Sequence, residues 1–293
     1  MMSPKKSLSS LRPDLIRFAL SILFILIVVY HMFLIQLLSD QRWAASLIKE
    51  PLSDLGFSTV PSLTREWVPD FFVMSLLVVT LSSLTLLARS WLEAIVVLRR
   101  FVWLTGTLYL LRSITIIVTT LPCPRDCHPI QINGFRDFLW VGLTMMVGLY
   151  KTCSDNIFSG HTMIIVSCMM LWSIYGRNKW AILCAYSHGI IGILTIIATR
   201  MHYTIDIFLA VLLTFGLYSF YFSLVNEASQ RISPSLIGLD ATKGNGDADR
   251  KSLIMMENRL NSVLLDIVVW VDGLDLRLNT YSSIDLPTSS YSV

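Results

Sequence analysis

Five stretches of this chain run for 18 to 21 residues without a single Lys, Arg, Asp or Glu: 18–38, 71–88, 156–175, 180–199 and 207–225. A sixth, 101–122, is broken only by Arg112. A helix needs about 20 apolar residues to cross the hydrocarbon core of a bilayer. A soluble domain of 293 residues has no use for six such segments, and the composition agrees: 54% hydrophobic, 15% charged, mean hydropathy +0.63. The run 138–150 is uncharged but too short to cross, and suits an interfacial or re-entrant piece. The sequence therefore predicts an all-α integral membrane protein with six transmembrane helices.

Loop charge sets the orientation. Residues 1–17 carry a net +3 and 89–100 a net +2, while Arg177 and Lys179 add two more in the next loop on that side. On the other side, 39–70 carry a net −2 and 122–158 balance. Basic loops stay cytosolic, so both termini are expected in the cytosol, with the loops 39–70 and 122–155 and the turn at 200–202 facing the lumen or the exterior. The overall charge of +3 is a topology signal and gives no reason to expect nucleic acid as a partner. The first run is too long for a signal-peptide core and lacks a small-residue cleavage site, so it reads as a retained span. Three regions follow: a cytosolic N-terminus (1–17), a six-span domain (18–225) and a cytosolic tail (226–293). Within the tail, ATKGNGDADRKS (241–252) reads as a linker or disordered. SVLLDIVVWV (262–271) is too short to span and reads as a surface helix or a strand.

The five cysteines divide in the same way. Cys168 and Cys184 fall within spans, where small buried packing is expected. Cys123, Cys127 and Cys153 fall on the oxidising face, where one disulfide among the three is expected. The spacing CPRDC followed by His128 is an incomplete zinc set, so no metal site is assigned, and nothing calls for a cofactor.

CSDNIFSGHT (153–162) places Asp155 and His161 at the mouth of one span, and MHYTID (201–206) places His202 and Asp206 at the mouth of another. The chain crosses away through one helix and back through the next, so both mouths return to one face. His202 and Asp206 are four apart, on one helix face. An aspartate there fixes the tautomer of the imidazole and stabilises its charged form, which suits a nucleophile. His161 would then be the opposing acid and base. That arrangement fits phosphoryl transfer through a phosphohistidine. Arg112, a lone charge within its span, and Arg200 would bind phosphate oxygens. Asp155 reads either as a helix cap or as an assisting residue. His31 and His188 read as packed residues and His128 as a loop residue.

These segments carry a resemblance. FSGHT (158–162) and HYTIDIFLAV (202–211) resemble the histidine motifs of the sphingomyelin synthase family, a branch of the lipid phosphate phosphatase superfamily. PLSDLGF (51–57) is similar to the family's first motif, with Ser53 where proline is usual. RRFVWLTGTLYLLRSITIIVTTLP (99–122) is similar to the second, and CSDNIFSGHT to the third, with Ser154 in place of glycine. The resemblance implies a lipid-phosphatase-like helical bundle. It implies transfer of a phospho-head group from a glycerophospholipid to ceramide with release of diacylglycerol. His202 with Asp206 would be the nucleophilic pair and His161 the acid and base, with Arg112 and Asp155 assisting.

By likeness of the second motif the head group is phosphocholine, with phosphoethanolamine and phosphoinositol as alternatives, so the partners would be phosphatidylcholine or phosphatidylethanolamine, ceramide and diacylglycerol. A homo-oligomer is left open. The Golgi comes first as the compartment, ahead of the endoplasmic reticulum and the plasma membrane. Two other readings stand beside this one. A lipid phosphatase would use water as the acceptor, but its last motif sets arginine six residues before histidine, whereas Arg200 stands two before His202. A transporter or scramblase would not need the histidines. No sterile-alpha-motif domain, which some relatives carry, is expected at the N-terminus.

Overall fold

A computed structural model describes residues 8–46, 50–125, 127–232 and 263–274. Among them there is no strand. Eight helices follow in order: α1 (Leu8–Ala45), α2 (Leu55–Thr59), α3 (Trp67–Leu86), α4 (Trp91–Val118), α5 (Phe135–Met145), α6 (Gly160–Tyr175), α7 (Lys179–Ala198) and α8 (Thr204–Ile232). A further helix covers 263–272, inside the tail segment that the sequence left open between helix and strand. The linker at 241–252 lies outside the described residues. Two compact units divide between Tyr218 and Ser219, within α8. The site described below lies within the first.

Among the described residues, five helices are long and apolar enough to cross a membrane: α1, α3, α4, α7 and α8. The run 156–175 behaves differently. Ser159 accepts the N–H of Thr162 and thereby caps α6, so the helix starts at Gly160 and is 16 residues long. At about 1.5 Å per residue it rises roughly 24 Å, less than the ~30 Å hydrocarbon thickness. The uncharged residues 156–159 form the loop that shapes the site. The short run 138–150 yields α5, which packs on α1 through Leu37, Val141 and Met145.

Local chemistry explains the boundaries. Ser90 caps α4 by accepting the N–H of Glu93, and Asn178 caps α7 by accepting that of Trp180. Helix α7 ends with Arg200 at φ +56°, the left-handed position that usually takes glycine. The N–H of Met201 reaches back to the Ile196 carbonyl and closes that terminus.

The core joins α3, α6, α7 and the start of α8 through Val73, Leu76, Ile165, Cys168, Trp172, Ala185, Ile196 and Ile207. Trp172 Nε1 donates to Thr80 Oγ1 at 3.0 Å inside it, so the one polar atom of a large buried ring is satisfied. Cys168 is buried as expected, but Cys184 is exposed: it lies on the outward side of α7, where a span meets lipid and small residues need no protein cover. Outward-facing Leu23, Ile27, Phe71, Val78, Phe208 and Phe215 give the bundle an apolar exterior.

Candidate active site

The four sequence segments singled out above meet at one end of the bundle. Their meeting point is the carbonyl of Pro122, at the end of VTTLP. It accepts the Tyr203 hydroxyl at 3.1 Å and the Asn156 side-chain amide at 3.2 Å. The same hydroxyl accepts the N–H of Leu52 at 3.1 Å. Asp54 then accepts from both the N–H and the hydroxyl of Thr204, at 2.8 and 2.6 Å. Burial opposes the ionised form of Asp54, but these bonds, with those from the Phe57 and Gly56 backbone, outweigh it and hold its carboxyl below the usual range. Finally, the N–H of Ser159 donates to the carbonyl of Asp206. Each segment is thus hydrogen-bonded to at least one other.

A second tie comes from an unforeseen residue. Asp40, fully buried near the end of α1, accepts the N–H groups of Cys153 and Ser154 through Oδ1 and that of Ile130 through Oδ2. A disulfide joins Cys127 to Cys153, with Cα atoms 5.7 Å apart, and Cys123 is a free, buried thiol beside it. Burial pushes that thiol up.

These ties enclose a cavity of about 450 Å³. Its apolar part is made by α1, α3 and α6 and includes Met32, Phe33, Val73, Leu77 and Ile164. Its polar part includes Asp70, Arg112, Arg125, Lys151, Asp155, His161 and His202.

Both histidines open on this cavity, with ring centroids 6.2 Å apart. Each stands beside an aspartate. His202 Nδ1 lies 3.6 Å from Asp206 Oδ2, just beyond hydrogen-bonding distance. Asp206 Oδ2 accepts the N–H of Tyr203, while Asp206 Oδ1 and His202 Nδ1 have no hydrogen-bond partner among the described residues. Burial drives the His202 imidazole below its ordinary value, and the Asp206 carboxylate opposes that shift without cancelling it. His161 Nε2 is 2.7 Å from Asp70 Oδ1, and Lys151 Nζ is 3.6 Å from Asp70 Oδ2. In a neutral His161 ring, Nε2 therefore carries the proton that Asp70 accepts, which leaves Nδ1 unprotonated. Nothing in the spacing of Asp70 and His161, 91 residues apart, links them.

Arg112 is buried and paired with Asp155, and its Nε has no partner among the described residues. Gly160 lies against that guanidinium: a Cβ there would overlap Nη1 and come within 3.0 Å of Cζ. Ile157, three residues earlier, sits at φ +84°, an unusual conformation for a β-branched side chain. It lies between Asn156, held by Pro122, and the fully buried Phe158. Such strain persists only where surrounding contacts fix it.

Arg200 takes a different place from the one expected. Its guanidinium stacks on Phe57, 4.5 Å from the ring centroid, and it does not line the cavity. Arg125 and Lys151 line it instead. His188 is a packing residue, 3.0 Å from Ser75 Oγ.

The family model described as PAP2 superfamily C-terminal matches residues 152–223, a span that contains both histidine segments. Sphingomyelin synthase-related protein 1 of Homo sapiens is 29% identical over 246 residues, covering 78% of this chain and 57% of its own length. Phosphatidylcholine:ceramide cholinephosphotransferase 2 of Rattus norvegicus is 32% identical over 148 residues, 46% of this chain and 40% of its own. The likeness runs to sphingomyelin synthase-related proteins and ceramide cholinephosphotransferases. It spans about half the length of the curated relatives it matches. The matched region carries His161, His202, Asp155 and Asp206, while Asp54, Asp70 and Arg112 reach the same end of the bundle from outside it.

Proposed function

We propose that the chain is a phosphotransferase that moves a phospho-head group from a glycerophospholipid to ceramide and releases diacylglycerol. The observation that carries the reading is the pair of histidines 6.2 Å apart across one cavity, each beside its own aspartate, next to a buried arginine.

In this reading Nδ1 of His202 faces Asp206, so Nε2 is the attacking atom. It bonds to phosphorus as the P–O bond to the diacylglycerol oxygen breaks, and protonated His161 gives that oxygen its proton. Ceramide then enters. Its primary hydroxyl loses a proton to His161 and attacks phosphorus, the P–N bond breaks, and both histidines return to their starting states. Asp206 stabilises the positive charge that His202 acquires, and Asp70 holds His161 in one tautomer. Arg112 binds the phosphoryl oxygens through the part of its fork that Asp155 leaves open. Neither reactant needs to leave the membrane, since an apolar wall adjoins the polar one.

The same reading has α6 as a sixth crossing, both termini in the cytosol, and the cavity on the lumenal or exterior side of the Golgi or of a membrane connected to it. The disulfide beside the cavity supports an oxidising face. By resemblance the head group would be phosphocholine.

The test is to incubate membranes carrying the chain with fluorescent ceramide and mixed glycerophospholipids. A ceramide phosphodiester that disappears with His202→Ala is the expected result. Release of the head group without a ceramide product would place the chain among hydrolases instead.

A further inference from the structure

A second cavity, of about 440 Å³, lies between α3, α4, α6 and α7 at the end of the bundle away from the histidines. Helix α6 runs between the two cavities: His161 is in its first turn, and Tyr175, its last residue, lines the second. The transfer chemistry has no use for this space. Leu84, Val97 and Trp172 belong to its apolar wall, and Glu93, Tyr175 and Arg177 to its polar part. Its size is that of a ligand site.

The first clue to an occupant is the level of the cavity in the bilayer. Trp91 opens α4 and Trp180 stands second in α7, and both rings are largely exposed, as are Leu86 and Leu87 nearby. Tryptophans exposed at the ends of spans mark the head-group layer of a membrane. The polar part of the cavity therefore lies among head groups. Leu84 and Trp172, about one turn further into their helices, lie where acyl chains begin.

The second clue is charge. Arg177 is exposed and has no hydrogen-bond or ion-pair partner among the described residues. Arg89 and Lys179 adjoin the lining residues Ala88 and Asn178 in the chain. Arg100 donates to the Tyr175 hydroxyl at 2.6 Å. Against these cations stands Glu93, which is already engaged: it accepts the N–H of Arg89 at 2.7 Å and sits in the first turn of α4, where the helix N-terminus offsets its charge. The other carboxylate at this end of the first unit, Asp14, is buried and held by Arg99. With all of these counted, the basic groups remain in excess, on the face that loop charge assigns to the cytosol.

We propose that this cavity is a second lipid site, which holds the head group and upper acyl chain of an anionic phospholipid of the cytosolic leaflet. Arg177 binds the phosphate through its paired donors. Basic pockets between spans on the cytosolic side suit such lipids. An added ammonium would meet Arg177 and Arg100, so a zwitterionic lipid is disfavoured.

The test uses the full chain in phosphatidylcholine proteoliposomes that contain a trace of phosphatidic acid or of phosphatidylcholine, each with a photoactivatable acyl chain. Labelled peptides are mapped by mass spectrometry. The expected result is labelling within 83–97 and 172–181 by the phosphatidic acid, about fivefold or more above the phosphatidylcholine probe. Arg177→Ala should lower it about fivefold, the effect of one cation at an anionic surface, and Arg177→Glu by about tenfold or more, while Arg177→Lys should keep most of it. Occupancy here is separate from the transfer chemistry, so His202→Ala should label as the wild type does. Equal labelling by the two probes overturns the anionic class. Labelling that misses both segments, or that Arg177→Glu leaves unchanged, overturns the site. Displacement of the label by millimolar glycerol 3-phosphate, which carries the phosphate without the chains, would make this a site for soluble phosphates and overturn the lipid.

Discussion

The N–H of Ser159 donates to the carbonyl of Asp206 at 3.3 Å, and this backbone bond fixes the start of α6 against the start of α8. His161 and His202 each lie within four residues of one end of it. Their spacing is therefore set by main chain, and substitutions of the side chains around them should alter chemistry more than geometry.

His202→Ala should abolish transfer while the protein still folds. Asp206→Asn should lower kcat by two to four orders of magnitude, roughly the cost of misplacing a histidine tautomer or leaving its charge unsupported. Single-turnover assays with fluorescent ceramide, alongside size-exclusion profiles in detergent, would check both. Retained activity in His202→Ala would remove it as the nucleophile.

Burial pushes the His202 imidazole down and Asp206 pushes it up by less. The attacking ring must be neutral, so the acidic limb of kcat/KM that belongs to His202 should lie below the ordinary value of about 6.5. Removing the Asp206 charge with Asp206→Asn removes the opposing influence and should move that limb further toward acid. The same sign holds for stability. The depressed value contributes stability that is present above about 6.5 and is lost as pH falls from there through the lower folded value. A limb that moves toward alkali in Asp206→Asn would contradict this electrostatic account.

Gly160→Ala places a methyl group against the Arg112 guanidinium, which its pairing with Asp155 prevents from yielding freely. Overpacking of this kind costs about 1–3 kcal/mol. A lowered thermal midpoint together with a larger loss in kcat is expected, because the displaced arginine is the one facing phosphate. Removing the obstructing fork with Arg112→Ala in the same chain should restore the midpoint but not the rate.

Asp54→Ala removes the cap of α2 and both bonds to Thr204. Loss of a cap alone costs about 1 kcal/mol. Asp54→Asn keeps one acceptor oxygen and should recover part of the loss. Thermal unfolding of the three proteins would order them wild type, Asn, Ala.

Cys127→Ser opens a loop closed across 26 positions. A loop of that length corresponds to about 3.5 kcal/mol in the chain-entropy account. Reducing agent applied to the wild type should give the same shift in midpoint, and no further shift in the variant.

Much of this was legible in the residues because membranes impose simple rules. Long runs with at most one charge marked α1, α3, α4, α7 and α8, and loop charge suggested which ends share a face. The two histidine segments were found by that reasoning, and they do share a cavity. What the sequence hid has one physical cause: contacts across large separations leave no local pattern. Asp70 to His161, Asp40 to Cys153 and Asp54 to Thr204 each join residues more than 90 positions apart. The start of α6 was misjudged because an uncharged residue can belong to a capped loop as readily as to a span. Arg200 was misplaced because its spacing from His202 said nothing of the left-handed turn that swings it onto Phe57.

The acceptor shared by Tyr203 and Asn156 is a main-chain oxygen, that of Pro122. Every amino acid supplies one. A saturation scan would therefore record an inverted map, tolerant at the hub and intolerant at its spokes, and a search for sensitive positions would circle the centre of the assembly without marking it.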